Sequence, residues 1–114
     1  MGEKDFLSDF RNIENAKHLI QVSIECCLDI SNHIIASEKM RSPNDYADSF
    51  RVLHENKIIP DDLLNNLIEM AKFRNRLVHL YWEIDKEMLF EIIQLNLSDF
   101  NRFIQSILDK FDLS

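Results

Sequence analysis

After Gly2 the chain contains no glycine, and its only prolines are Pro43 and Pro60. Two-residue hairpins depend on residues that accept positive φ, glycine above all, so a fold built on tight strand turns is disfavoured. The absence points to an all-α fold, with the two prolines marking breaks between helices. The 114 residues suit one domain, 1–114. A domain of that length can bury roughly two thirds of its unfolded surface. A hydrophobic share of 46% supplies the core and argues against disorder.

Apolar spacing places four helices. The first covers 8–39, where Phe10, Ile13, Ile20, Ile24, Cys27 and Ile34 recur at three- and four-residue intervals. Leu19, Val22, Cys26, Leu28, Ile30 and Ile35 widen the stripe well beyond one face. A helix apolar around most of its circumference needs cover on more than one side, which in a small bundle suggests a homodimer. Ser8 or Asp9 is placed to cap its start. A loop around Pro43 leads to a short helix at 45–55, carrying Tyr46, Phe50 and Leu53. After Pro60, Asp61 or Asp62 is placed to cap a third helix over 61–81. Asp85 does the same for a last helix over 86–111, through Leu89, Ile92, Ile93, Phe100, Phe103, Ile104, Ile107 and Phe111. Short connections favour antiparallel neighbours, hence an up-and-down helical bundle with a long first helix.

Cys26 and Cys27 are adjacent on a helix and point about 100° apart, a poor arrangement for a mutual disulfide. Both read as small buried apolar residues of a reducing compartment. No uninterrupted apolar run reaches the ~18 residues that span a bilayer, and the start lacks a signal-peptide pattern. Met1-Gly2 resembles a myristoylation start, but Phe6 stands where Ser or Thr is required. The expectation is a cytoplasmic protein without a membrane partner. The formal net charge of −7 argues against broad affinity for nucleic acid, so any RNA contact should be local and salt-sensitive, or depend on a partner.

The densest chemistry lies in Arg74-Asn75-Arg76-Leu77-Val78-His79-Leu80-Tyr81, at the end of the third helix. Arg74 can hold a phosphate as a fork, and His79 belongs to the residue type that titrates near neutrality. Together they suffice for metal-free RNA cleavage: the imidazole moves a proton and the guanidinium offsets phosphate charge. On a straight helix Arg74 and Tyr81 share a face, as do Asn75 and His79. Arg74 and His79 differ by about 140° and diverge, unless the helix loosens near His79 or a twofold partner supplies the complement. The competing reading is structural: Arg and His at a helix C-terminus also complement the macrodipole and cap free carbonyls.

The pattern Arg-Asn, three residues, His, one residue, Tyr resembles the signature of HEPN-domain ribonucleases of the HepT type. Leu28-Asp29-Ile30-Ser31-Asn32-His33-Ile34-Ile35 and the Pro43-to-Phe50 stretch with Tyr46 share the resemblance, which runs from about Ile13 to the C-terminus. It implies a HEPN-like bundle in which Arg74 and His79 form the ribonuclease pair, supported by Asn75. Tyr81 matches the tyrosine that a cognate MntA-type nucleotidyltransferase antitoxin modifies with AMP to silence the toxin. Many members carry a further helix before the segment that begins near Phe10, where this chain has only a few residues. Oligomer geometry and the antitoxin contact therefore transfer less directly than the motif. Arg76 has no counterpart in the pattern; a solvated cation and an extra phosphate contact are both open.

Asp29 and His33, four apart, are candidates for a core or interface hydrogen bond, with the rim of the active site as second option. Glu14 and His18 form a similar pair on a solvated face. The histidines lack metal-ligand spacing and the two Glu-x-x-His sets of a di-iron bundle are missing, so neither metal nor cofactor is expected. Trp82 reads first as a packing aromatic and second as a base-stacking one. The leading expectation is a metal-independent endoribonuclease toxin of a toxin–antitoxin pair. The rival is a non-catalytic HEPN scaffold or dimerisation module that binds a nucleotidyltransferase.

Overall fold

The computed structural model describes residues 10–111. These form α1 (Phe10–Ser37), α2 (Tyr46–Glu55), α3 (Asp61–His79) and α4 (Lys86–Lys110), with one 3-10 turn, Tyr81–Glu83, between the last two. The expected Ser8 or Asp9 cap lies outside the described residues.

α1 packs against the other three helices. Its buried positions, Ile20, Ile24, Cys27, Leu28, Ser31, Ile34 and Ile35, follow the helical repeat. Ser31 is buried at no cost in lost hydrogen bonds, because its hydroxyl donates to the Cys27 carbonyl at 2.8 Å. By length and composition α1 is apolar enough to cross a membrane, although its apolar residues are interrupted by polar ones. In the fold its apolar side packs into the core of the bundle. Leu19, Val22 and Cys26, which widened its stripe, are exposed. Cys26 is thus not the buried residue expected, whereas burial, then Cys26, pushes the Cys27 thiol up to about 12.

The long helices alternate in direction. Lys17 and Glu25 of α1 meet Tyr81 and Arg74, so α1 and α3 run antiparallel. Asp62 and Asn66 of α3 bond Arg102 and Asp99, so α3 and α4 do too. The short α2 closes one side, its Phe50 edge-on to Phe103 of α4 with ring centroids 6.0 Å apart. Both rings are fully buried, and truncating either to Ala should cost about 3–5 kcal/mol.

The helix ends follow local chemistry. Asp45 and Asp85 cap α2 and α4, accepting from the amides of Asp48 and Met88 at 2.7 Å each. At α3 the expected aspartate cap does not form: Pro60 holds the cap position, and Asp61 and Asp62 fall in the first turn. There they complement the helix dipole, and Asp62 pairs with Arg102 at 2.6 Å. α1 and α2 end without glycine, through Lys39 and Lys57 at φ 55° and 62°. The amides of Met40 and Ile58 reach back to Ile35 and Leu53 at 2.9 and 3.0 Å, the Schellman pattern.

α4 keeps most of its expected face, with Ile92, Ile93, Phe100, Ile107 and Phe111 packed, partly buried, against the core. Of its apolar residues only Leu89 and Phe103 are fully buried, and Ile104 is exposed. Asn96 and Asp99 occupy inward positions, with Asp99 accepting from Asn66 at 3.1 Å.

The loop before α2 is held by one carboxylate. Asp48 accepts two N–H groups of Arg41 at 2.8 and 3.0 Å and the Asn44 amide at 2.8 Å. Arg41 also bonds Glu55 at 2.6 and 2.9 Å. The loop so fixed sets the position of Tyr46, the first residue of α2.

Candidate functional site

Three helices converge on Arg74. Its side chain is only 16% exposed, and Nε and Nη2 each lie 3.2 Å from Oε1 of Glu25 on α1. Nη1 donates to Oδ1 of the neighbouring Asn75 at 3.3 Å. The guanidinium carbon stands 4.8 Å from the centre of the Tyr46 ring, a cation–π contact with the start of α2. Glu25 is itself held by Gln21, one turn earlier, at 3.0 Å. Beside this cluster opens a cleft of about 130 Å³ lined by Glu25, Leu28, Asp29, Tyr46 and Arg74. An arginine so fixed by a carboxylate, an amide and an aromatic face is pre-oriented, and its fork suits a phosphate.

His79 is the last residue of α3 and is exposed. No described residue hydrogen-bonds its ring, and no contact joins it to Arg74 within the chain. The α-helix stays regular through His79, so the loosening that would have turned the two groups together does not occur before that residue. The break comes at Leu80, whose ψ of 44° leaves the helix while its amide still reaches Arg76 at 2.8 Å.

That break corrects the expected helix end and moves Tyr81. The tyrosine opens the 3-10 turn instead of extending the Arg74 face. Its ring, 37% exposed, lies beneath the Lys17 ammonium of α1, 4.0 Å from the ring centre. Trp82 next to it is 76% exposed, so the packing role first expected of it does not hold.

Asp29 and His33 line one groove, between α1 and the end of α4, while the other candidates separate. Asp29 also lines the Arg74 cleft. His33 faces further along α1, its Nε2 3.5 Å from Ser37 Oγ. No hydrogen bond joins Asp29 to His33. Arg76 points the other way from Arg74, towards α4, with Nη1 3.6 Å from the Met88 sulfur. It lines a groove of about 640 Å³ between α3 and α4. Glu14 turns to Lys17 at 4.0 Å instead of His18. No group of three or more His, Cys, Asp or Glu capable of holding a metal is found among the described residues. Glu25 and Lys17 carried no signal in the sequence pattern, because their partners lie on a helix far along the chain.

The family model for ribonuclease HepT-like proteins matches residues 1–107. An mRNA nuclease HepT from Shewanella oneidensis is 34% identical over 102 residues, covering 90% of this chain and 77% of that protein. A tRNA nuclease HepT from Aphanizomenon flos-aquae is 29% identical over 105 residues, with 90% and 70% covered. Among solved structures, a tri-AMPylated HEPN toxin of Shewanella oneidensis in complex with its MNT antitoxin superposes with a TM-score of 0.82. It is 34% identical, over 90% of this chain and 77% of that one. With the motif, the helical order and these matches in agreement, the chain belongs to the ribonuclease HepT-like family.

Proposed function

We propose that the chain is an endoribonuclease toxin of a HEPN–MNT toxin–antitoxin pair, acting in the cytoplasm as a homodimer without a metal ion. The observation that carries this reading is the contrast within the motif. Arg74 is anchored by three helices at a cleft, while His79 is exposed with no hydrogen-bond partner among the described residues. Such a pair is half a site twice over: a twofold partner can bring its imidazole to the guanidinium of the first copy. Apolar surface suited to such a contact is at hand. Val22, three residues from Glu25, and Val78, four from Arg74, are both 41% exposed, and Leu19 is 63% exposed.

In the shared cleft the fork of Arg74 holds the scissile phosphate and offsets its growing negative charge. His79 takes the proton of the ribose 2′-OH, whose oxygen attacks phosphorus and expels the 5′-oxygen, leaving a 2′,3′-cyclic phosphate. Asn75 steadies the guanidinium through its side-chain oxygen. Asp29 forms part of the rim, whereas Arg76 and His33 lie off the site. AMP added to Tyr81 by a MntA-type antitoxin would set bulk and negative charge two residues from His79 and shut RNA out. The AMP-modified toxin structure supports that regulation by analogy.

A non-catalytic scaffold is the alternative, favoured by the net charge of −7 and by the carboxylate already occupying Arg74. Expression in a bacterial host separates the two. Growth arrest and RNA breakdown should appear with the wild type and vanish with Arg74→Ala or His79→Ala. Equal behaviour of all three proteins would leave the scaffold standing.

A further inference from the structure

Lys17 is an unusual lysine. It is 8% exposed, and its only carboxylate partner among the described residues, Glu14, stands at the 4.0 Å limit of ion pairing. A buried ammonium needs compensation, and a partner so distant supplies little. Among the described residues its other contact is the Tyr81 ring, with Nζ 4.0 Å from the ring centre. None of its three N–H donors is hydrogen-bonded to a described residue, which leaves them able to meet an anion beside the phenol. Tyr81 is still partly open to solvent, so a partner enzyme can reach the phenol oxygen from outside while Lys17 covers one face from within.

We propose that Lys17 is a positioning residue for nucleotidyl transfer to Tyr81, fixing the ring for attack and then pairing with the phosphate that the tyrosine acquires. The inference rests on the reading of Tyr81 as the AMP acceptor. In the reaction the phenol oxygen bonds to the α-phosphorus of ATP. The bond from that phosphorus to the bridging oxygen breaks, pyrophosphate leaves, and the phenol proton passes to a base of the transferase. Negative charge builds first on the phenol oxygen and then stays on the phosphodiester. Lys17 meets both demands from one place: its flexible four-carbon stem lets the ammonium slide from the ring face to the phosphate oxygens. An ammonium kept out of water acts more strongly on such charge than an exposed one. The Glu14 contact is loose enough to be given up in the exchange.

The test uses the whole chain, a cognate MntA-type nucleotidyltransferase and ATP, with AMP addition followed by intact mass and located by peptide mapping. Lys17→Met should slow addition at Tyr81 about tenfold or more through kcat, with the KM for the toxin little changed. Lys17→Arg, which restores a cation, should recover most of the rate. Lys17→Gln serves as second neutral variant should Lys17→Met fail to fold by circular dichroism. Wild-type kcat in a folded neutral variant, or failure of Lys17→Arg to recover any rate, overturns the role of Lys17 and leaves the Tyr81 assignment intact. Absence of AMP on Tyr81 in the wild type overturns the assignment itself, and this inference with it.

Discussion

Nε and Nη2 of Arg74 share a single oxygen of Glu25, each at 3.2 Å, while the same guanidinium stands over the Tyr46 ring. The carboxylate and the ring come from different helices, so the orientation of Arg74 is fixed by the tertiary fold and not by α3 alone. A substrate phosphate has to compete with Glu25 for these donors, which fits an acidic protein with local rather than broad affinity for RNA.

Lysine is therefore no substitute for Arg74. Arg74→Lys keeps the charge but loses the fork and disturbs the cation–π contact with Tyr46. RNA cleavage by the purified variant should fall about 10²-fold, close to Arg74→Ala, with the helical circular dichroism unchanged. A lysine variant within a few-fold of wild type would mean that charge alone suffices.

The Asp48 network should make stability depend on pH. The N–H groups of Arg41, then the Asn44 amide, hold the Asp48 carboxyl well below the usual carboxylate range. A carboxyl depressed in the folded state contributes stability above its unfolded pKa, about 3.9, and that contribution is lost as pH falls through the lower folded value. Asp48→Asn should thus lower the melting temperature at pH 7 by about 5 °C, with the gap closing as the solution is acidified below pH 4. Arg41 is 42% exposed, so part of the effect is screened and should shrink in high salt. A pH-independent gap would place the cost elsewhere, in packing or the loop backbone.

Lys57 offers a gain. At φ 62° it pays the left-handed penalty that glycine escapes, and no hydrogen bond of its side chain to a described residue offsets it. Lys57→Gly should raise unfolding free energy by about 1 kcal/mol in urea melts. A loss instead would show that the flexibility glycine adds to the unfolded chain outweighs the strain removed.

These features mark where the sequence stops being legible. Helix number and order, and limits to within two residues at most ends, follow from apolar spacing, Asp85 and the prolines, all local signals. The αL lysines left no trace because the usual residue there is glycine, and Pro60 took the cap by sitting where its missing amide costs nothing. On α4 the periodicity marked the core-facing residues except Ile104, and gave no sign that the polar Asn96 and Asp99 also turn inward. At the site, Arg74, Asn75 and His79 stood out as a pattern, but Glu25 pairs with Arg74 from 49 residues away and no local rule links them. The early end of α3 at His79 likewise moved Tyr81 off the face that a continuous helix would give it.

The separation of Arg74 from His79 leads to the sharpest expectation. If each active site takes its guanidinium from one copy and its imidazole from the other, Arg74→Ala and His79→Ala are complementary defects. In a mixed dimer one site loses both groups while the second keeps both. Random mixing makes about half the dimers mixed, each with one intact site, so two inactive proteins together should recover about a quarter of wild-type cleavage. The variants should be unfolded and refolded together, or co-expressed, so that subunits exchange. Val22→Glu, which puts a charge on the exposed face of α1, should lower the mass in solution to that of a monomer and abolish the recovery. A mixture as inactive as its parts, formed from dimers shown to exchange, would place the whole site within one chain. The exposed imidazole at the end of α3 would then need a partner other than Arg74.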